Sequence, residues 1–248
     1  MNIKKYLLTA ASVLALATSA HAGFINGGFE TGDFTGWTLE HGLTYGSGVT
    51  YTAGSAGHAY VIGPTADPYS PFDTPFNGKY MARLNEWTSP NYDATRISQT
   101  ATMLTGETDL FINWASVMED PSHPVNQEPA FSISIVKNGV EVASENHNAS
   151  QGTAGGWTKG AVNGPAGSPI YYSSGTFHIA GLLTGDIVSI VLTSYDCGQG
   201  AHVGYAYLDG IGTTYQPPVG VPDGGATVAL LGLALVGFAA VRRKMSQA

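Results

Sequence analysis

An uncharged apolar run of sixteen residues, Ala226 to Val241, ends in the basic cluster Arg242-Arg243-Lys244. From Val228 onward it has no polar side chains, whereas an amphipathic helix of a soluble core carries them along one face. At a rise of 1.5 Å per residue it reaches about 24 Å, somewhat less than the roughly 30 Å hydrocarbon core of a bilayer. The pattern predicts a transmembrane helix over 226–241, with Arg242, Arg243 and Lys244 as a membrane stop and 242–248 as a cytoplasmic tail.

Immediately before this run stands the turn-forming segment Val221-Pro222-Asp223-Gly224-Gly225. Together, the segment, the apolar run and the basic cluster resemble the PEP-CTERM class of bacterial sorting signals, in the variant that reads Val-Pro-Asp-Ser-Gly. Gly224 stands where that variant has serine. The resemblance identifies 217–225 as linker and sorting motif. It implies an exosortase, a membrane protease or transpeptidase, as processing partner, and association with a cell envelope or exopolysaccharide.

The first 22 residues have the pattern of a secretory signal peptide. Lys4 and Lys5 precede the apolar stretch Tyr6 to Ala17, and Ala20-His21-Ala22 supplies small residues for cleavage before Gly23. This predicts a signal helix over 1–22. Basic clusters at both ends favour the cytoplasm, so the intervening body is expected to be exported across the bacterial inner membrane. After processing it would be membrane-anchored, or located at the cell surface or outside the cell.

The body between the two signals is strongly acidic. It holds five basic side chains against seventeen carboxylates, a formal charge of −12. Such a field repels phosphate backbones, so nucleic acid is excluded as a partner. Cys197 is the only cysteine, so no disulfide forms within one chain, and we interpret it as a small buried side chain.

Short alternating runs punctuated by glycine and proline predict that 23–216 is one all-β domain, an antiparallel β-sandwich. The clearest signal is a hairpin: Ala130 to Val136 alternates, Asn138-Gly139 turns the chain, and Val140 to Ala143 returns. In Leu110 to Met118 the pattern places Leu110, Ile112 and Trp114 inward. Ile187 to Thr193 is typical of a central strand.

The opening segment Asn26 to Phe34, followed by Gly36-Trp37, looks like the first strand of galactose-binding-like jelly rolls, which include several carbohydrate-binding modules. Gly204 to Asp209 is similar to their closing strand. The resemblance implies a jelly roll in which Glu30 and Asp209 share a structural calcium, a cation that accepts mixed carboxylate and carbonyl shells. The alternative is that both acids are solvated or accept hydrogen bonds from turn amides.

A candidate sugar site lies in Asn77 to Trp87. Sugar binding needs a flat aromatic ring and planar polar groups, and strand alternation places Arg83, Asn85 and Trp87 on the face opposite Leu84. The alternative is a surface salt bridge beside a packed tryptophan.

The sequence contains no compact catalytic motif, so no catalytic residue is assigned, and we interpret Tyr195 to His202 as a turn. Three hypotheses follow: a non-catalytic carbohydrate-binding or matrix-binding envelope protein, a polysaccharide-active enzyme on the same fold, or a purely structural matrix component. We expect the first.

Overall fold

The computed structural model describes residues 23–43, 49–54, 57–88 and 92–215. The predicted signal helix over 1–22, the sorting motif Val221 to Gly225, the helix over 226–241 and the basic tail lie outside these residues. Within them, no helix is both long and apolar enough to cross a bilayer.

The body is a sandwich of two six-stranded antiparallel sheets. The first sheet contains, in spatial order, β10 (Val140–Asn148), β9 (Ala130–Lys137), β13 (Ile187–Tyr195), β7 (Asp93–Thr102), β1 (Thr38–Leu43) and β2 (Thr52–Ala53). The second contains β11 (Thr158–Asn163), β12 (Pro169–Ala180), β8 (Asp109–Glu119), β14 (Gly204–Gly212), β6 (Met81–Leu84) and β3 (Ala59–Ile62). A small hairpin of β4 (Thr65–Ala66) and β5 (Asp73–Thr74) is separate, and two short 3₁₀ helices span Val125–Gln127 and Ala149–Gly155.

This architecture confirms the prediction of a mostly β, antiparallel fold. The predicted hairpin forms β9 and β10, with Asn138 and Gly139 both at positive φ in the turn. Asn tolerates this left-handed conformation and Gly adopts it freely. The predicted central strand is β13, which pairs with β9 on one side and β7 on the other.

The two faces of the second sheet carry two different apolar clusters. In β8, Leu110, Ile112 and Trp114 point into the core between the sheets, as predicted. The alternate residues Ala115 and Val117 belong to a second cluster on the outer face. Because side chains alternate along a strand, one sequence supplies both clusters.

A loop covers part of that outer face. The segment 65–76, which holds β4 and β5, places Phe72 against Tyr172 and Phe76 against Tyr207. This loop and the outer strands bury apolar surface that an uncovered sheet would expose to water.

The opening segment differs from its prediction. A first strand over Asn26 to Phe34 is wrong: the chain there forms turns, and the first strand begins at Thr38. Asn26 and Phe29 have φ of 52° and 56°, values incompatible with an extended strand. The segment still meets the last strand, because the Ile211 N–H donates to the Gly27 carbonyl at 3.2 Å.

Candidate ligand-binding site

The candidate site lies at one edge of the second sheet, where β3 pairs with β6. Strand β6 alternates: Ala82 and Leu84 belong to the core between the sheets, and Arg83 lies on the opposite, outer face. Tyr60 of β3 is the register partner of Arg83. We call the group Tyr60, Arg83, Glu86 and Trp87 the edge patch.

Arg83 is held between two aromatic rings. Its guanidinium carbon lies 4.2 Å from the centre of the Trp87 ring and 4.8 Å from that of Tyr60. The residue is 9% exposed, and its Nε makes no hydrogen bond. Stacking on two electron-rich faces offsets part of the cost of burying the cation, at about 0.5–2 kcal/mol per ring. A hydrogen-bond donor is thus held in a fixed position among aromatic rings.

The rest of the edge patch fixes its aromatic walls. Trp87 is half-buried and packs edge-on against Tyr205, with ring centres 6.0 Å apart. The Tyr60 hydroxyl donates to Oε1 of Glu86 at 3.0 Å. Aromatic faces, a guanidinium and a carboxylate are the groups that cover a sugar ring and engage its hydroxyls.

Asn85 does not share this surface with Arg83 and Trp87. It follows the end of β6, has φ of 66°, and is fully buried. Its Nδ2 donates to the Gly204 carbonyl at 3.0 Å and to the Asp93 carbonyl at 3.4 Å. Strand alternation fails for Asn85 because the left-handed residue turns the chain inward.

Glu30 and Asp209 lie close to each other, beside the same backbone segment. The Glu30 carboxylate accepts hydrogen bonds from the Lys79 and Tyr80 N–H groups at 2.9 and 3.1 Å. Oδ2 of Asp209 accepts from the Asn77 N–H at 2.8 Å. Both acids therefore accept hydrogen bonds from backbone amides, as the alternative to a calcium site predicts.

The calcium between these two acids stays a prediction. An atom at the Cβ position of Gly28 would lie in ordinary van der Waals contact with both, 3.6 Å from Glu30 Cγ and 3.9 Å from Asp209 Oδ1, so both carboxylates border this glycine. Asp209 is fully buried, and burial raises its pKa well above the usual range; the Asn77 and Gly210 N–H groups oppose this, and Glu30 adds to it. A divalent ion would offset both the burial of the Asp209 carboxylate and its repulsion by Glu30.

A second polar cluster next to the edge patch has no counterpart in the sequence predictions. Asp93, nearly buried at the start of β7, lies between two histidines. His41 Nε2 is 2.8 Å from Asp93 Oδ1. His58 Nδ1 is 2.6 Å from Oδ2 without hydrogen-bond geometry. His58 also approaches Glu86 of the edge patch, at 3.3 Å. His41 and His58 precede Asp93 by 52 and 35 residues, so sequence spacing gave no signal for this cluster.

Fold and site together define an antiparallel β-sandwich with an arginine–aromatic patch on one sheet edge. Residues 220–245 match the VPDSG-CTERM motif, which confirms the predicted sorting signal despite Gly224. A sorting signal of this kind supports export and association with the cell envelope. No curated protein matches the chain.

Several solved structures are similar to the sandwich. The stig cyclase Fisc from Fischerella sp. TAU is 13% identical, with 78% of this chain and 96% of that chain covered and a TM-score of 0.41. A carbohydrate-binding module specific for non-crystalline cellulose, CBM28, is 16% identical, with coverage of 78% and 96% and a TM-score of 0.37. The enzymatically active domain of tailspike protein 4 of bacteriophage CBA120 is 12% identical at a TM-score of 0.37; 77% of this chain covers only 21% of it. At TM-scores this low, these likenesses carry no conclusion about binding or catalysis.

Proposed function

We propose that the protein is an exported cell-envelope or exopolysaccharide-matrix protein whose β-sandwich binds carbohydrate without catalysis. In this proposal an exosortase-type enzyme recognises Val221 to Gly225, and the apolar helix with its Arg242-Arg243-Lys244 stop holds the chain in the membrane until processing. The VPDSG-CTERM match supports the export part of the proposal.

One observation carries the binding part: Arg83 is fixed between the rings of Tyr60 and Trp87, at the edge of the outer face of the second sheet. A free arginine would lose rotamer entropy on binding a ligand, and here that cost is met in folding. Trp87 and Tyr60 stay partly exposed beside it. A neutral polysaccharide suits the site better than an acidic one, because the body carries a formal charge of −12.

A glycan array probed with the exported, mature protein tests this proposal. Binding without turnover supports it. Turnover of a bound glycan supports the rival, a polysaccharide-active enzyme. Silence across neutral and acidic glycans supports a purely structural matrix component.

A further inference from the structure

Two loops meet at one end of the sandwich. Residues 120–129 connect β8 to β9, and residues 196–203 connect β13 to β14. The Gly198 N–H donates to the Gln127 carbonyl at 2.8 Å, and the Gln199 side chain donates to that of Gln127. These bonds bring His123 of the first loop to Cys197 and His202 of the second.

Three metal-ligating atoms converge at this junction. Nδ1 of His123 lies 3.2 Å from Sγ of Cys197. One nitrogen of His123, one of His202 and the Cys197 sulfur all lie within 4.8 Å of one another. Cys197 is fully buried, whereas both imidazoles are half-exposed, so an ion can enter from solvent and reach the sulfur.

The turn from Cys197 to His202 holds two of the ligands rigidly. The Cys197 N–H donates to the His202 carbonyl at 3.3 Å, and the Gly200 N–H to the Cys197 carbonyl at 2.9 Å. Nδ1 of His202 lies 3.0 Å from the Gly200 carbonyl. A carbonyl only accepts, so Nδ1 carries the proton and Nε2 keeps the lone pair that binds a metal.

A buried acid lies in the same loop as His123. Glu128 is 4% exposed, and neither carboxylate oxygen makes a hydrogen bond of ordinary geometry. Glu128 belongs to the same loop, 120–129, as His123, and it follows Gln127, whose carbonyl accepts the Gly198 N–H of the second loop. A bound cation would compensate this acid.

We propose that His123, Cys197 and His202 bind a first-row transition-metal ion, Zn²⁺ or Cu²⁺, with Glu128 supplying negative charge beside it. Two imidazoles and a thiolate suit these borderline ions and not Ca²⁺ or Mg²⁺, which take oxygen ligands. On binding, a metal–sulfur bond replaces the S–H bond and one proton leaves to solvent.

The distances fit this ion with little rearrangement. In a tetrahedral site with metal–sulfur and metal–nitrogen bonds of about 2.3 and 2.0 Å, neighbouring ligand atoms stand about 3.3–3.6 Å apart. The His123–Cys197 pair is already at 3.2 Å. A side-chain rotation that moves one imidazole nitrogen by about 1 Å brings the remaining pairs of ligand atoms to these separations. Three protein ligands leave the fourth coordination position of the metal open.

Isothermal titration calorimetry tests the site by measuring the stoichiometry and affinity of metal binding. The mature protein is reduced, stripped of metal with a chelator, and titrated with ZnCl₂ and, separately, with CuCl₂. We expect one ion per chain, and affinity reduced about tenfold or more in His123→Ala and in His202→Ala. His178→Ala is the matched control, because His178 is an exposed histidine paired with Asp109 and should leave affinity unchanged. Binding of Cu²⁺ alone identifies copper as the ion.

A Co²⁺ titration followed by absorbance reports the thiolate directly. Cobalt should give a sulfur-to-metal charge-transfer band that Cys197→Ser abolishes. If Cys197→Ser fails to fold, the two histidine variants still decide. No binding of either ion by the wild-type protein, or equal affinity in His123→Ala, His202→Ala and wild type, would overturn the proposal.

Discussion

The hydroxyl of Tyr207 donates a 2.6 Å hydrogen bond to Oδ2 of Asp67, which lies 140 residues earlier in the chain. The Tyr205 hydroxyl donates to Oδ1 of the same carboxylate at 3.0 Å. Asp67 is 7% exposed and also accepts the N–H groups of Tyr69 and Ser70. One buried carboxylate thus fastens the loop 65–76 to the outer face of the second sheet, beside the edge patch.

The first prediction concerns this fastening. Tyr207→Phe removes the hydroxyl and keeps the ring, and it should lower the free energy of unfolding by about 1.5–3 kcal/mol, the range for hydrogen bonds to charged groups. Urea unfolding measures it, with Tyr215→Phe as control because Tyr215 is half exposed. Equal stabilities of the two variants would show that the bond does not hold the loop.

His147 should make stability depend on pH. Its ring stacks on Trp157 with centres 4.1 Å apart, it is 2% exposed, and burial lowers its pKa to about 4. The unfolded chain binds the proton near pH 6.5 and the folded chain only near pH 4. The buried neutral ring therefore contributes its full share of the free energy of unfolding above pH 6.5. As the pH falls from 6.5 to about 4, the free energy of unfolding decreases by up to about 3 kcal/mol.

His147→Phe keeps an aromatic ring and cannot be protonated, so its unfolding free energy should change less between pH 6.5 and pH 4 than that of the wild type. His178→Phe is the control, because His178 lies on the surface, where its ring stacks on Phe111 and pairs with Asp109. Parallel pH profiles of His147→Phe and wild type would rule out the buried histidine as the cause.

A structural calcium between Glu30 and Asp209 predicts a response to chelator. Excess chelator should lower the melting temperature, Ca²⁺ should restore it, and Glu30→Gln should abolish the difference because the site loses a charged ligand. Glu107→Gln, at a half-buried acid in another turn, should respond as the wild type does. An unchanged melting temperature on chelation would remove the calcium hypothesis.

Processing of the sorting signal predicts a specific mass. The intact mass of the protein isolated from its native envelope should lack the residues before Gly23 and everything beyond Val221 to Gly225. A mass that includes Arg242 to Ala248 would instead indicate an unprocessed membrane anchor.

Local pattern predicted the regular part of this fold. The period-two alternation of 130–136 and the Asn138-Gly139 turn determine a hairpin within a few residues, so β9 and β10 form as expected. Leu110, Ile112 and Trp114 face the core for the same reason. The prediction of a strand over Asn26 to Phe34 was wrong, because its resemblance to a strand does not reveal the positive φ angles that turn the chain.

The polar sites depend on contacts that local pattern does not contain. His123 and Cys197 are 74 residues apart, and they meet only because β8 and β13 finish at the same end of the sandwich. Arg83 and Trp87 are four residues apart, so strand alternation predicted them on one face. The second ring that contacts Arg83 belongs to Tyr60 of the neighbouring strand, which alternation cannot predict. Asn85 was misplaced because a single left-handed residue reverses the alternation.

Affinity of the mature protein for the polysaccharide of its own matrix, measured for wild type, Trp87→Ala and Tyr215→Ala, tests the central claim most directly. Loss of one stacking ring should weaken binding at the edge patch by about tenfold, and Tyr215→Ala should bind as wild type, because Tyr215 packs against Phe111 away from the edge patch. Equal affinity of Trp87→Ala and wild type, with both proteins folded, would contradict the claim that this arginine–aromatic edge binds carbohydrate.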